Sequence, residues 1–355
     1  MKKKSEGRGQ RSVFLMFAWM SILSASGGSI YAQEVPTITV SKGDKINLTV
    51  SPIGGSDGAL ATKTLQNDLT LSGYFILGGN ASYTTRGSAS AGNLQGQVVD
   101  RNGGTVLSKS YGNGARENAH RFADDIVETL TGNKGFATSK IAFIATRSGK
   151  KEVYVGDYDG SNVRQLTRDG VISVHPSISP DGRRIAYTGY QSGYPDVYVI
   201  DLASGARNRI VNFPGTNSGA AFSSDGGRIA LSVSKDGNPE LYTVSAGGGS
   251  ARRLTHTRGI ESGPTWSPTG DEIAYSFDDG HGPQLYRVSA GGGNGQRIAT
   301  GHAYCTEPNW SPDGKKIAFN VRGGGGFEIA IVDLVRLRRI DLCAGSADDH
   351  RQQGR

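Results

Sequence analysis

The chain has 355 residues, 36% of them apolar, 53 glycines and a formal net charge of +7. That length allows two domains of the usual size of roughly 100–200 residues. The charge sits mostly at the ends, with Lys2, Lys3, Lys4, Arg8 and Arg11 against Glu6 at the start and five arginines against three aspartates after Leu334. Between them the chain is nearly neutral and has no basic stripe interleaved with aromatics, which excludes a nucleic-acid binder.

The first 32 residues read as a secretory signal peptide. A basic stretch, "MKKKSEGRGQR", precedes the apolar run "VFLMFAWMSIL" and the small residues "SASGGSIYA", with cleavage expected after Ala32. The apolar run is too short to cross a bilayer as a helix, which takes about 20 residues. No later segment approaches spanning length. The mature protein is therefore expected to be exported and soluble, without membrane insertion.

Residues 33–136 read as a small α/β domain. "KINLTVSPI" suggests a strand, and "ALATKTLQNDLTLSG" suggests a helix over 59–73 with Leu60, Leu65 and Leu69 on one side. "YFIL" reads as a strand, and "GNLQGQVVDRNGGTVLSKSY" as a hairpin turning at "RNGG". "ENAHRFADDIVETLTG" predicts a second amphipathic helix over 117–132, stopped by Gly132. His120 falls on a charged face of that helix.

Residues 137–334 repeat. "SPDGRRIAY" at 179 returns as "SSDGGRIAL", "SPTGDEIAY" and "SPDGKKIAF", each 44 residues after the last. Ile-Ala pairs begin at 141, 185, 229, 273 and 317 in the same step. A period of about 40–45 residues with several short strands per unit is the signature of a β-propeller blade. The fold class is thus a small α/β domain followed by an all-β propeller with five recognisable units. One blade reads as strands near 174–179, 184–190, 196–202 and 207–213. The first copy lacks a counterpart of the first of these strands. Asp181 and Gly182 are expected to turn the chain, and Ile185, Tyr187, Tyr198, Trp266 and Trp310 to pack between blades.

Few residues suggest chemistry. "GGSDG" at 54–58 matches Gly-x-Ser-x-Gly, but Ser56 has one histidine in its domain, and that domain is too small for a hydrolase. "DYDGSN" at 157–162 resembles the start of a calcium loop, but the twelfth position is Arg168 rather than glutamate; a β-turn explains it better. No paired carboxylates recur at matched repeat positions, and no Cys/His spacing marks a metal site. No enzymatic activity, metal or cofactor is expected. Cys305 and Cys343 are expected unpaired.

After Leu334 the repeat stops. Residues 335–355, "VRLRRIDLCAGSADDHRQQGR", read as a divergent tail without alternation, as a truncated or frame-shifted product would have.

The signal peptide, the junction "HRFADDIVETLTGNKG" to "SKIAFIAT…YVGDYDGSNVRQLT", and the "SPDG-x-x-I-A" repeats resemble the TolB family over residues 34–334. These are periplasmic β-propeller proteins of the Tol–Pal system. The resemblance implies a non-enzymatic scaffold in the periplasm with six blades. It would link the lipoprotein Pal to the inner-membrane protein TolA, maintaining outer-membrane integrity and constriction during cell division. Other outer-membrane proteins join the expected partners. By the same resemblance, Glu34, Val35, Ile38 and Val40 of "EVPTITV" would bind TolA by strand addition, although Pro36 departs from the family pattern. Loops at one propeller mouth would bind Pal, through His175, Thr216, Asn217, Ser262, Thr306 and Glu307. The alternative is a propeller associated with an enzyme, either an oligopeptidase gating domain or a polysaccharide lyase. The first needs a hydrolase domain and the second clustered metal ligands, and neither is legible in the sequence.

Overall fold

The computed structural model describes residues 45–323, 326–335 and, as backbone only, 338–341. The signal segment, Glu34, Val35, Ile38, Val40 and Cys343 lie outside the described residues. The described chain divides into two units: residues 45–141 with 156–163, and residues 142–155 with those from 164 onward.

The first unit holds β1 (Ile46–Val50), α1 (Gly58–Ser72), β2 (Phe75–Leu77), β3 (Tyr83–Ser90), β4 (Asn93–Asp100), β5 (Thr105–Tyr111) and α2 (Ala115–Thr131). The sheet order is β2-β1-β3-β4-β5, with β1 parallel to both neighbours and β3, β4 and β5 a meander. Gly73 and Gly132 end the helices at φ +70°, a left-handed conformation that glycine reaches without a side-chain clash. Ala61, Leu65 and Leu69 of α1 and Phe122, Ile126 and Val127 of α2 share one core with Leu48, Leu94 and Val98 of the sheet. Leu60 does not join them and is exposed. β3 was not legible as a strand because "YTTRGSAS" is mostly polar. It forms because β1 and β4 both supply backbone partners. Residues 137–141 count with this unit. The 156–163 turn also counts with this unit, whose core buries Tyr158.

Among the described residues, five propeller blades follow. The first blade has three strands, β6 (Lys140–Ala145), β7 (Glu152–Asp157) and β8 (Arg164–Gln165). The second has β9 (Ser173–Ile178), β10 (Arg184–Gly189), β11 (Asp196–Asp201) and β12 (Arg207–Val211); the third has β13 (Asn217–Phe222), β14 (Arg228–Val233), β15 (Glu240–Ser245) and β16 (Arg252–Arg253). The fourth contains β17 (Ile260–Trp266), β18 (Glu272–Asp278), β19 (Gln284–Ser289) and β20 (Gln296–Arg297). The fifth contains β21 (Cys305–Trp310), β22 (Lys316–Gly323), β23 (Gly326–Asp333) and β24 (Arg338–Asp341). β24 lies in the stretch read as a divergent tail. It pairs antiparallel with β23, placing Ile331 opposite Ile340, so the fifth blade extends to Asp341. Sheet pairing uses backbone groups and does not require the repeat motif.

The repeat motif is structural. Ser179 Oγ accepts the Arg184 amide at 2.9 Å and donates to Asp181, whose carboxylate also accepts the Arg183 amide at 3.0 Å. The Ser223–Arg228 and Ser311–Lys316 bonds repeat the arrangement, each at 2.9 Å. The Ser179 and Ser223 hydroxyls hold Asp181 and Asp225 below the usual carboxylate range. From the second blade on, the Ile-Ala strand packs against the blade before it. Ile185 and Tyr187 join Val153 and Val155, while Ile229 and Leu231 join Val197 and Val199. Each such buried side chain contributes about 1.5–3 kcal/mol.

Candidate functional site

Four stretches 44 residues apart, "SVHPSIS", "NSGAAFS", "ESGPTWS" and "CTEPNWS", form the inner strands β9, β13, β17 and β21. Their first residues, Ser173, Asn217, Glu261 and Cys305, are fully buried. Two residues on, pairing with the adjacent strand breaks. His175–Pro176, Gly219–Ala220, Gly263–Pro264 and Glu307–Pro308 each oppose a single residue, which is a β-bulge. Proline is tolerated there because a bulge leaves its amide position out of the ladder.

The first residue of every bulge is left-handed: φ is +52° at His175, +69° at Gly219, +57° at Gly263 and +51° at Glu307. A residue with a β-carbon is strained there by about 1–2 kcal/mol. Two blades avoid the strain with glycine, whereas His175 and Glu307 retain it with exposed side chains. Successive bulges adjoin. A β-carbon at Gly219 would lie 3.5 Å from the Gly263 nitrogen, and one at Gly263 would lie 3.4 Å from Glu307 Oε2.

The turns between the second and third strands of the blades come to the same end. The Tyr190 amide donates to the Ile172 carbonyl at 3.1 Å, Ser234 to Thr216 at 3.0 Å, and Cys305 to Pro283 at 2.8 Å. Tyr194 is 69% exposed, Ile260 51% and Phe327 50%, with Ile172 also exposed. Tyr304 sets its ring 5.9 Å from that of Phe327.

The expected mouth residues all lie on the inner strands or at their starts. His175 and Glu307 stand exposed on bulges. Ser262 and Thr306 are half-buried immediately before the bulges at 263 and 307, and Thr216 is half-buried just before β13. Asn217 is different. It is fully buried, and its Nδ2 donates to the Phe213 carbonyl at 2.7 Å and the Pro195 carbonyl at 3.1 Å. It ties two turns together and offers nothing to solvent. Gly219, Gly263 and the exposed Ile172, Tyr194, Ile260 and Phe327 were not singled out from sequence. The spacing 175, 219, 263, 307 carries the signal for the bulges.

Beneath this end lies Glu261. Its Oε1 accepts the Thr257 hydroxyl at 2.7 Å. Desolvation by burial, reinforced by the nearby Glu240, pushes its pKa up to about 7. Cys305 is a free thiol, and burial pushes its pKa up as well. Among the described residues, no helix is long and apolar enough to cross a membrane. Ser56 sits in the turn before α1, where its amide meets Ser90 Oγ at 3.3 Å.

The blade architecture defines the second unit as a β-propeller. Residues 127–351 match the family model described as the TolB β-propeller domain, and the chain belongs to that family. It is 32% identical over 212 residues to the Tol-Pal system protein TolB of Geobacter sulfurreducens, covering 49% of each chain. It is 36% identical over 215 residues to that of Geobacter metallireducens, again covering 49% of each. The chain thus spans about half the length of the curated relatives it matches. The crystal structure of TolB from Acinetobacter baumannii superposes with a TM-score of 0.73 at 24% identity, over 84% of this chain and 82% of that one, and shows the shared fold.

Proposed function

We propose that the chain is a periplasmic, non-enzymatic adaptor of the Tol–Pal system. It binds Pal at the inner-strand mouth of the propeller and TolA through the extended segment holding Glu34, Val35, Ile38 and Val40. In this role it helps maintain the outer membrane during constriction at division. The observation that carries the reading is the ring of bulges. His175 and Glu307 keep strained backbone with exposed side chains, and Ile172, Tyr194, Ile260 and Phe327, at the ends of strands or in the turns of the blades, are exposed as well. Such strain persists where a side chain has a use. Asn217 drops out of the contact set, and the exposed apolar residues enter it.

Calorimetric titration of Pal tests this. Glu307→Lys keeps a side chain of similar reach on the same backbone and reverses the charge. Pal should bind this variant about tenfold more weakly or worse, as when a central contact is lost. Deletion of residues 33–40 should abolish TolA capture and leave Pal affinity unchanged. Wild-type affinity of Glu307→Lys for Pal would rule out this mouth as the site.

A further inference from the structure

The turn after β7 brings Asp157 and Asp159 to His120 of α2, within the first unit. His120 is 5% exposed rather than standing on a solvated helix face. Its Nδ1 lies 2.7 Å from Asp68 Oδ2, and the Tyr158 hydroxyl donates to Asp68 Oδ1 at 3.1 Å. A carboxylate at Nδ1 holds the ring proton there and leaves a lone pair on Nε2. That Nε2 is buried and has no hydrogen-bond partner among the described residues. It lies 4.0 Å from Asp157 Oδ2. One ligand atom each from His120, Asp157 and Asp159 lie within 4.8 Å of one another.

We propose that His120, Asp157 and Asp159 form a binding site for a divalent transition-metal ion of the zinc class, with Asp68 as the positioning residue. Three observations carry it. A buried ring nitrogen without a partner is unfavourable unless something fills its lone pair. The hydrogen bond from the far ring nitrogen to a carboxylate is the arrangement that orients metal-binding histidines. One imidazole and two carboxylates suit zinc, whereas calcium and magnesium favour all-oxygen sets. A cleft of about 690 Å³ borders His120 and Asp157 and leaves room for water as a further ligand.

Arg116 now provides the positive charge. It contacts Asp159, and its Nε lies 3.6 Å from Asp157 Oδ2, while Lys140 Nζ lies 3.1 Å from Asp157 Oδ1. An arriving ion takes over the charge at the aspartates, and Arg116 turns into the cleft it already lines. The ion therefore binds in competition with Arg116.

Cobalt(II), followed by its visible absorption, is the probe, with zinc as the competitor and the full chain as the protein. One equivalent of cobalt should develop the bands of a low-coordinate nitrogen–oxygen site, and one equivalent of zinc should remove them. Asp68→Asn should weaken binding about 10–100-fold, as loss of an orienting partner does. His120→Gln should abolish the bands. Arg116→Met leaves all three ligands in place and should tighten binding, a gain that misfolding cannot mimic. The proposal is overturned if wild type and Arg116→Met are both silent toward cobalt. It is equally overturned if Asp159→Asn, which alters one of the two carboxylate ligands, binds as tightly as wild type.

Discussion

The backbone of Gly263 lies against the carboxylate of Glu307, so that a β-carbon at 263 would stand 3.4 Å from Oε2. Both residues are left-handed, and they are equivalent positions of successive blades. Substitution should therefore act in opposite directions. Gly263→Ala introduces strain of about 1–2 kcal/mol and should destabilise the fold by that amount. Glu307→Gly relieves the same strain, which outweighs the roughly 0.5–1 kcal/mol from a freer unfolded chain, and should be neutral to slightly stabilising. Urea denaturation reads both; equal destabilisation by the two variants would show that position 307 carries no strain.

Gly96 is a contact of another kind. Its backbone is not left-handed, but a β-carbon there would lie 2.8 Å from the ring of Phe122. Phe122 is fully buried in the core shared by helices and sheet. Gly96→Ala should destabilise the first unit by about 1–3 kcal/mol, the range for overpacking. Pairing it with Phe122→Leu, which vacates space, should recover part of the loss in a double-mutant cycle.

Glu261 should make stability depend on pH. Its pKa is raised to about 7 in the folded chain, from an ordinary value of 4.5, by burial. The folded state therefore binds the proton more tightly than the unfolded state. The contribution is fully present below about pH 4.5 and is lost as pH rises through about 7, reaching about 3 kcal/mol. Chemical denaturation at pH 5 and pH 8 should show this loss in the wild type and a flatter profile in Glu261→Gln. The same slope in both would place the titration elsewhere.

Asn217 separates stability from binding. Removing its side chain leaves the Pro195 and Phe213 carbonyls without those donors, so Asn217→Ala should cost about 1–3 kcal/mol. At a temperature where the variant is fully folded, its affinity for Pal should match the wild type. A large affinity loss in folded protein would return Asn217 to the contact surface.

The sequence by itself determined the period, the strands within each blade and the two helices of the first unit. Those features rest on local patterns. Alternation selects which side of a strand is buried, Ser-x-Asp-Gly closes a turn through bonds between close neighbours, and Gly73 and Gly132 end helices wherever they fall. β3 and β24 carry no such pattern and exist because a neighbouring strand offers backbone partners. The tertiary structure alone decided which polar residues face solvent and which meet. Asn217 and Thr216 are neighbours in the chain, yet one is fully buried and the other is partly open. His120 reaches Asp68 across 52 positions, and Tyr158 reaches the same carboxylate across 90. Packing of helices, sheet and turn creates those contacts, and no local periodicity encodes a pairing at that distance.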